Sequence, residues 1–256
     1  MEIFRASDGN DIAYELAGSG DPALLFIHGW QADHSVWPPL IAAIGPSVRT
    51  IAVDLRGCGA SRDAGGPYDL ERYAADLREL IDALGAAPVV AVGHSMGATV
   101  ALRLAVDAPQ RVRGLVLIAP VPAGGAGFSA KGEAYLRATV GDAAAAKKWL
   151  ARTLHGQPDP VLLQCLCDAA AATPREAALE SFGSWVHADF AEETRNIEAP
   201  ALIVAPSGED PEAAERNVAA LIPNARCVVL PDAAHYAIVE QPEAIAALIR
   251  GAKEWT

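Results

Sequence analysis

The amino-acid sequence predicts an α/β fold built on a mostly parallel sheet of eight strands, and three observations carry that expectation. Short apolar runs rich in Val, Ile and Leu recur along the chain, and runs without polar alternation suit strands buried on both faces. Segments of helical period separate them, as crossovers between parallel strands require. Finally, 256 residues with 52% hydrophobic and 20% charged side chains can bury one large core, with or without an insertion.

Taken in order, residues 3–5 and 12–16 flank an Asp8-Gly9 turn and read as a hairpin. Residues 23–27, 50–53, 89–92, 115–118, 201–205 and 226–230 are the remaining strands. Helices fit between them at 36–44, 70–84, 97–106, 213–222 and 242–251. From Val121 to about Asn196 the rhythm breaks. Ala-rich helical stretches there are punctuated by Gly141, Gly156, Pro158, Pro160 and Pro174, with no strand pattern. The expected organisation is a core domain of residues 1–120 and 197–256 carrying an inserted helical cap, 121–196, reached through a Gly- and Pro-rich lead-in at 120–127.

A net charge of −12 with no run of Lys or Arg removes the counterion-release contribution on which nucleic-acid binding depends, so nucleic acids and anionic membranes are poor partners. No apolar stretch approaches the roughly 18 residues of a membrane helix. The first five residues read as a strand, not a signal peptide, which makes the cytoplasm the expected location. Cys58, Cys165, Cys167 and Cys227 stand in apolar contexts and are expected to be small core hydrophobes.

Three segments carry chemistry. Gly93-His94-Ser95-Met96-Gly97 joins the strand at 89–92 to the helix that follows. A strand-to-helix turn this sharp strains the serine and projects its Oγ above the sheet, while the helix start aims free N–H groups at the same spot. His28-Gly29-Trp30 follows the strand at 23–27, and its glycine lets the next N–H, that of Trp30, face the sheet's mouth. Asp232-Ala233-Ala234-His235 follows the last strand and places a histidine at the same edge.

Together these segments resemble the α/β-hydrolase superfamily, specifically its capped single-chain serine esterases and lactonases. Asp54-Leu55-Arg56-Gly57-Cys58-Gly59-Ala60-Ser61 is similar to the family's turn of that pattern. Trp37, the stretch at 223–226 and Glu240-Gln241-Pro242-Glu243 are family-like as well. Ala98 departs from the pattern, standing where many relatives have a second glycine. The resemblance implies a catalytic triad of Ser95, an acid and His235, with the N–H groups of Trp30 and Met96 as oxyanion hole. For the acid it points to the loop after the strand at 201–205. Counting from Pro200 lands on Glu209, and one more loop residue lands on Asp210. Asp210 is preferred, because Asp-Pro before a helix matches the family and aspartate is the more usual acid.

The leading functional expectation is hydrolysis of a small to medium, largely apolar carboxylic ester or lactone through an acyl-enzyme on Ser95, with no cofactor and no metal. Trp30, Phe128, Trp149, Trp185 and Tyr236 are the expected substrate-lining residues, with Leu154 and Phe182 further candidates from the cap. Two alternatives remain open: a cofactor-free perhydrolase or haloperoxidase, and a ligand-binding sensor with little turnover. Serine at 95 argues against the relatives that use a carboxylate nucleophile. The spacing of His28, Asp33 and His34 does not suggest a metal shell. Gly125-Ala126-Gly127-Phe128-Ser129-Ala130 formally matches a dinucleotide-binding pattern but is separated from its strand by Pro120 and Pro122, so it reads as a flexible lead-in. The partner expected is a small molecule, and the chain itself a monomer or homodimer.

Overall fold

A hairpin opens the sheet: β1 (Glu2–Arg5) and β2 (Asp11–Ala17) pair antiparallel around Gly9 at φ +85°, a conformation glycine takes without a Cβ clash. The computed structural model describes residues 1–157 and 159–252; Pro158, one of the expected breaks in the insertion, and residues 253–256 lie outside them. β2 pairs antiparallel with β4 (Thr50–Val53), and all further neighbours are parallel: β4 with β3 (Leu24–Ile27), then β5 (Val89–His94), β6 (Val112–Ile118), β7 (Ala201–Pro206) and β8 (Ala225–Leu230). The order is β1-β2-β4-β3-β5-β6-β7-β8. Because β3 sits between β4 and β5, the chain reverses its direction of travel across the sheet there. Such a switch opens a crevice beyond the carboxyl ends of the two strands.

The helices are α1 (Pro38–Ile44), α2 (Leu70–Ala83) and α3 (Met96–Asp107), then α4 (Ala130–Arg137), α5 (Ala143–Leu150), α6 (Pro160–Ala172) and α7 (Arg175–Val186), all between β6 and β7. α8 (Pro211–Asn217), α9 (Ala237–Glu240) and α10 (Pro242–Gly251) complete the described chain. Period-two alternation splits the buried strand residues: Leu25, Ile27, Ala91 and Leu117 pack with α2 and α3, while Phe26, Val90, Val92 and Val116 pack with α1 and α10. Both faces of the central strands are covered, which is why β3, β4 and β5 read as apolar runs. The inserted helices join both layers, Leu136 and Phe182 on the α2–α3 side and Leu150 and Leu166 on the other. Ser129, Asp142 and Asp159 accept N–H groups at the starts of α4, α5 and α6, so ordinary N-caps set where these helices begin.

Two expectations need correction. Helix α8 ends at Asn217, not at 222, because Val218 leaves helical geometry (φ −126°, ψ −65°) and a short 3-10 turn takes 219–221. Of the cysteines, only Cys58 is fully buried, and burial pushes its thiol up to about 12. Cys165 is exposed, lying to one side of the Leu166, Ala169 and Ala170 stripe by which α6 is buried. Among the described residues no helix is long and apolar enough to cross a membrane.

The turn after β4 is held by charges taken out of water. Arg56, wholly buried, grips Asp76 of α2 through Nε and Nη2, each at 2.9 Å, and also meets Asp8 at 2.8 Å. Asp54 accepts the N–H groups of His34 (2.7 Å) and Ala60 (2.8 Å). A Cβ on Gly59, at φ +49°, would lie 2.4 Å from the Asp54 carboxylate. Ser61 donates to the Asp54 carbonyl and accepts from Ala13 N–H, both at 2.8 Å. Every polar position of this motif therefore has a structural task. Removing one partner of a buried pair strands the other charge, so Asp76→Asn should lower stability by about 3–5 kcal/mol in urea unfolding. The exposed pair Arg195–Glu192 should behave otherwise, with Glu192→Gln leaving the urea midpoint essentially where it is in the parent.

Candidate active site

Ser95 occupies the crevice at the switch point, at φ 54° and ψ −121°, a combination that costs a residue with a side chain on the order of 1–3 kcal/mol. The strain follows from how tightly the turn is folded. A Cβ on Gly93 would lie 2.4 Å from the Gly97 carbonyl oxygen, and a Cβ on Gly97 would lie 2.1 Å from that of Ile27. Both are backbone atoms, so both positions require glycine. Ser95 N–H donates to the Ile118 carbonyl at 3.0 Å, fixing the turn between β3 and β6.

His235 brings its Nε2 to 3.0 Å from Ser95 Oγ, and its Nδ1 to 2.6 Å from Glu209 Oε1. The expectation that Asp210 faces the histidine is corrected here. Asp210 is the N-cap of α8, its carboxylate accepting Ala213 N–H at 2.9 Å, so the Asp-Pro pair is a helix start and not the mark of the acid. The Glu209 side chain is one methylene longer and turns the opposite way, to the loop of His235. The two loops are stitched together by Ser207 N–H to the Leu230 carbonyl (2.9 Å) and Gly208 N–H to that of Ala233 (2.8 Å). Glu240 adds a brace, accepting Ala234 N–H at 2.8 Å and, from the insertion, His155 N–H at 2.6 Å.

Two buried histidines that the motif reading left without a role hold the site's backbone. His28 donates from Nδ1 to the Gly29 carbonyl at 2.8 Å and accepts Leu55 N–H on Nε2 at 3.0 Å. A peptide is planar and trans, so fixing the Gly29 carbonyl also fixes the direction of Trp30 N–H. The Ser95 carbonyl is fixed in the same way by Ala98 N–H at 2.9 Å, which orients Met96 N–H. His94 donates from Nε2 to the His235 carbonyl at 2.7 Å, and the two rings lie 4.9 Å apart between centroids. A histidine closing an otherwise apolar strand was the available signal.

Beside Ser95 lies a chamber of about 170 Å³. All five expected lining residues, Trp30, Phe128, Trp149, Trp185 and Tyr236, border it. Phe182 and Leu154 do not. Phe182 is buried behind Trp30, 5.0 Å between ring centroids, and Leu154 packs in the α1–α10 layer. The Trp30 indole N–H donates to the Ala178 carbonyl of α7 at 2.8 Å, tying the loop after β3 to the insertion. A second cavity of about 300 Å³ adjoins the first, and Val121, Phe128, Glu209 and His235 border both.

Asp33, His34 and Asp54 offer ligand atoms within 4.8 Å of one another, a grouping not expected from sequence because Asp54 arrives from another strand. Hydrogen bonds account for it: Asp54 Oδ1 takes His34 Nδ1 at 2.9 Å and Asp33 Oδ1 takes Ser35 N–H at 2.9 Å. That contact with Asp54 also raises the His34 pKa above the ordinary histidine value.

A strained serine at a switch-point crevice, facing a histidine backed by a carboxylate, defines an α/β hydrolase. The chain matches the alpha/beta hydrolase family over residues 24–248, and it belongs to that family. It is 31% identical, over 92% of its length and 94% of the relative's, to a Mycobacterium tuberculosis protein provisionally named a non-heme bromoperoxidase. Among solved structures it is similar to a thermophilic esterase from Thermogutta terrifontis, with 27% identity and a TM-score of 0.86 over the whole of both chains. It is similar also to the enol-lactonase of Burkholderia xenovorans, with 26% identity and a TM-score of 0.85 over 98% of each chain.

Burial pushes the His94 imidazole down to about 3 and lowers that of His28 too. Both are therefore neutral in the folded protein where the unfolded chain, near 6.5, takes up protons. Stability is then fully present above pH 6.5 and is lost as pH falls towards 3. From pH 7 to pH 5, His94 should contribute about 2 kcal/mol of that loss. Urea unfolding at the two pH values should show the loss shrink by about this amount in His94→Gln. An unchanged pH dependence would contradict the assignment.

Proposed function

We propose that the protein is a serine hydrolase that cleaves small to medium, largely apolar carboxylic esters or lactones through an acyl-enzyme on Ser95. The observation that carries this reading is the line from Ser95 Oγ through His235 to Glu209, at 3.0 and 2.6 Å. His235 takes the Ser95 proton as Oγ bonds the carbonyl carbon, then gives it to the departing alcohol oxygen as the acyl–oxygen bond breaks. Water, deprotonated by the same nitrogen, releases the acid and restores the serine. Glu209 holds the ring tautomer and stabilises the imidazolium that forms. The N–H groups of Trp30 and Met96, oriented as described, receive the developing oxyanion. Segment 121–196 acts as the cap, since its Phe128, Leu136, Trp149 and Trp185 border the chamber beside Ser95.

Fluorophosphonate should label one serine, and Ser95→Ala should abolish both labelling and ester turnover. Glu209→Gln should lower kcat by about 10²–10⁴-fold, whereas Asp210→Asn, which preserves the helix cap, should stay within about twofold of the parent on neutral esters. A large loss in the Asp210 variant alone would reverse the assignment of the acid.

A second reading is supported by the relative named as a bromoperoxidase. Hydrogen peroxide, in place of water, would attack the same acyl-enzyme and release a peracid able to oxidise bromide. Bromination of a phenol indicator in acetate and peroxide, abolished by Ser95→Ala, is the expected sign of it.

A further inference from the structure

The site has two chambers that differ in chemistry, and only one contains the nucleophile. Ser95, Gly29 and Trp30 border the smaller chamber and are missing from the larger one, whereas His235 and Glu209 border both. The smaller chamber is bordered by buried Trp30, Leu136, Trp185 and Tyr236. The larger one has walls of Ala and Pro, among them Pro120, Pro122 and Pro206, and a lip of exposed Glu209, Asp210 and Asn217. No lysine or arginine is among the described residues that border it.

These facts divide a bound ester. The carbonyl carbon must meet Ser95 Oγ with its oxygen toward Trp30 N–H, so the acyl chain runs into the chamber that holds both. The alcohol oxygen must receive its proton from His235 as the acyl–oxygen bond breaks, so the alcohol lies on the far side of His235. Size limits the first part: an apolar cavity of ~150 Å³ accepts a benzene molecule, and this one has about 170 Å³. Charge limits the second, because two carboxylates at the lip repel an anion and the chain's net charge of −12 adds to them.

We propose that the aromatic chamber beside Ser95 takes an acyl group no larger than a benzoyl or about a six-carbon chain, and that the chamber beside Glu209 and Asp210 takes a neutral or cationic alcohol and rejects an anionic one. This rests on the ester-hydrolase reading above and deepens it.

Two substrate series test it, each rate divided by that of alkaline hydrolysis. With p-nitrophenyl esters, kcat/KM should peak between butyryl and hexanoyl and fall at least tenfold by decanoyl. With butyryl esters, those of choline and of methoxyethanol should exceed that of glycolate, the anionic alcohol, by tenfold or more. Trp149→Ala should move the acyl optimum to longer chains and leave the alcohol ranking in place. Asp210→Asn should narrow the gap between choline and glycolate esters severalfold and leave the acyl optimum in place. A glycolate ester cleaved as fast as the choline ester, a decanoyl ester equal to the butyryl, or exchange of the two variants' effects would each overturn the division. If the parent protein cleaves none of these esters yet fluorophosphonate labels Ser95, the division falls alone; if Ser95 also stays unlabelled, the hydrolase reading falls with it.

Discussion

Much of the site depends on how closely the turn between β5 and α3 presses on the end of β3. Gly97 leaves no room for a methyl group against the Ile27 and His28 carbonyls, and Gly29 in turn lies against Ser95 and His94, where a Cβ would come within 3.2 Å of each. Two backbone segments at this separation bring Ser95 beside the loop that carries Trp30. The positive φ of Ser95 is the cost of that approach, offset by burial across the central strands, whose packing over-determines the turn.

The polar framework around this contact is built from neutral groups more than from charges. His28 and His94 are wholly buried, and burial holds both in the uncharged form, so each has one donor and one acceptor nitrogen. Each spends its donor on a carbonyl of the site, that of Gly29 or that of His235. Positioning by neutral rings keeps extra charge away from His235 and leaves Glu209 as its close charged neighbour. The charged cluster of Arg56, Asp76 and Asp8 ties the turn after β4 to α2 and to the β1–β2 turn, and braces the scaffold instead.

The fold was legible because its central strands β3, β4 and β5 are buried along their whole length and read as apolar runs. The strands at 24–27 and 50–53 needed no revision beyond a residue, and β6 only gained residues at its start, where Arg113 interrupts the run. Ser95 and His235 were legible because each follows a strand that can be recognised without the structure. The acid was not: Glu209 and Asp210 are neighbours, and which of them caps α8 depends on where the helix begins, a matter of one residue. Asp210 followed by Pro211 is a strong N-cap signal, and reading it as such would have assigned Glu209 to His235. Glu240 and His94 escaped for another reason. Their partners, Ala234 N–H, His155 N–H and the His235 carbonyl, are backbone groups, which leave no trace in residue identity.

The central claim is that an acyl group is carried on Ser95, and trapping it is the most direct measurement. Mixing enzyme with p-nitrophenyl butyrate, quenching in acid within the first turnover and mapping the adduct by peptide mass spectrometry should place a butyryl group on the Ser95 peptide, with a nitrophenol burst of matching size. Turnover with no adduct, or an adduct on another residue that forms and decays at the rate of turnover, would contradict it.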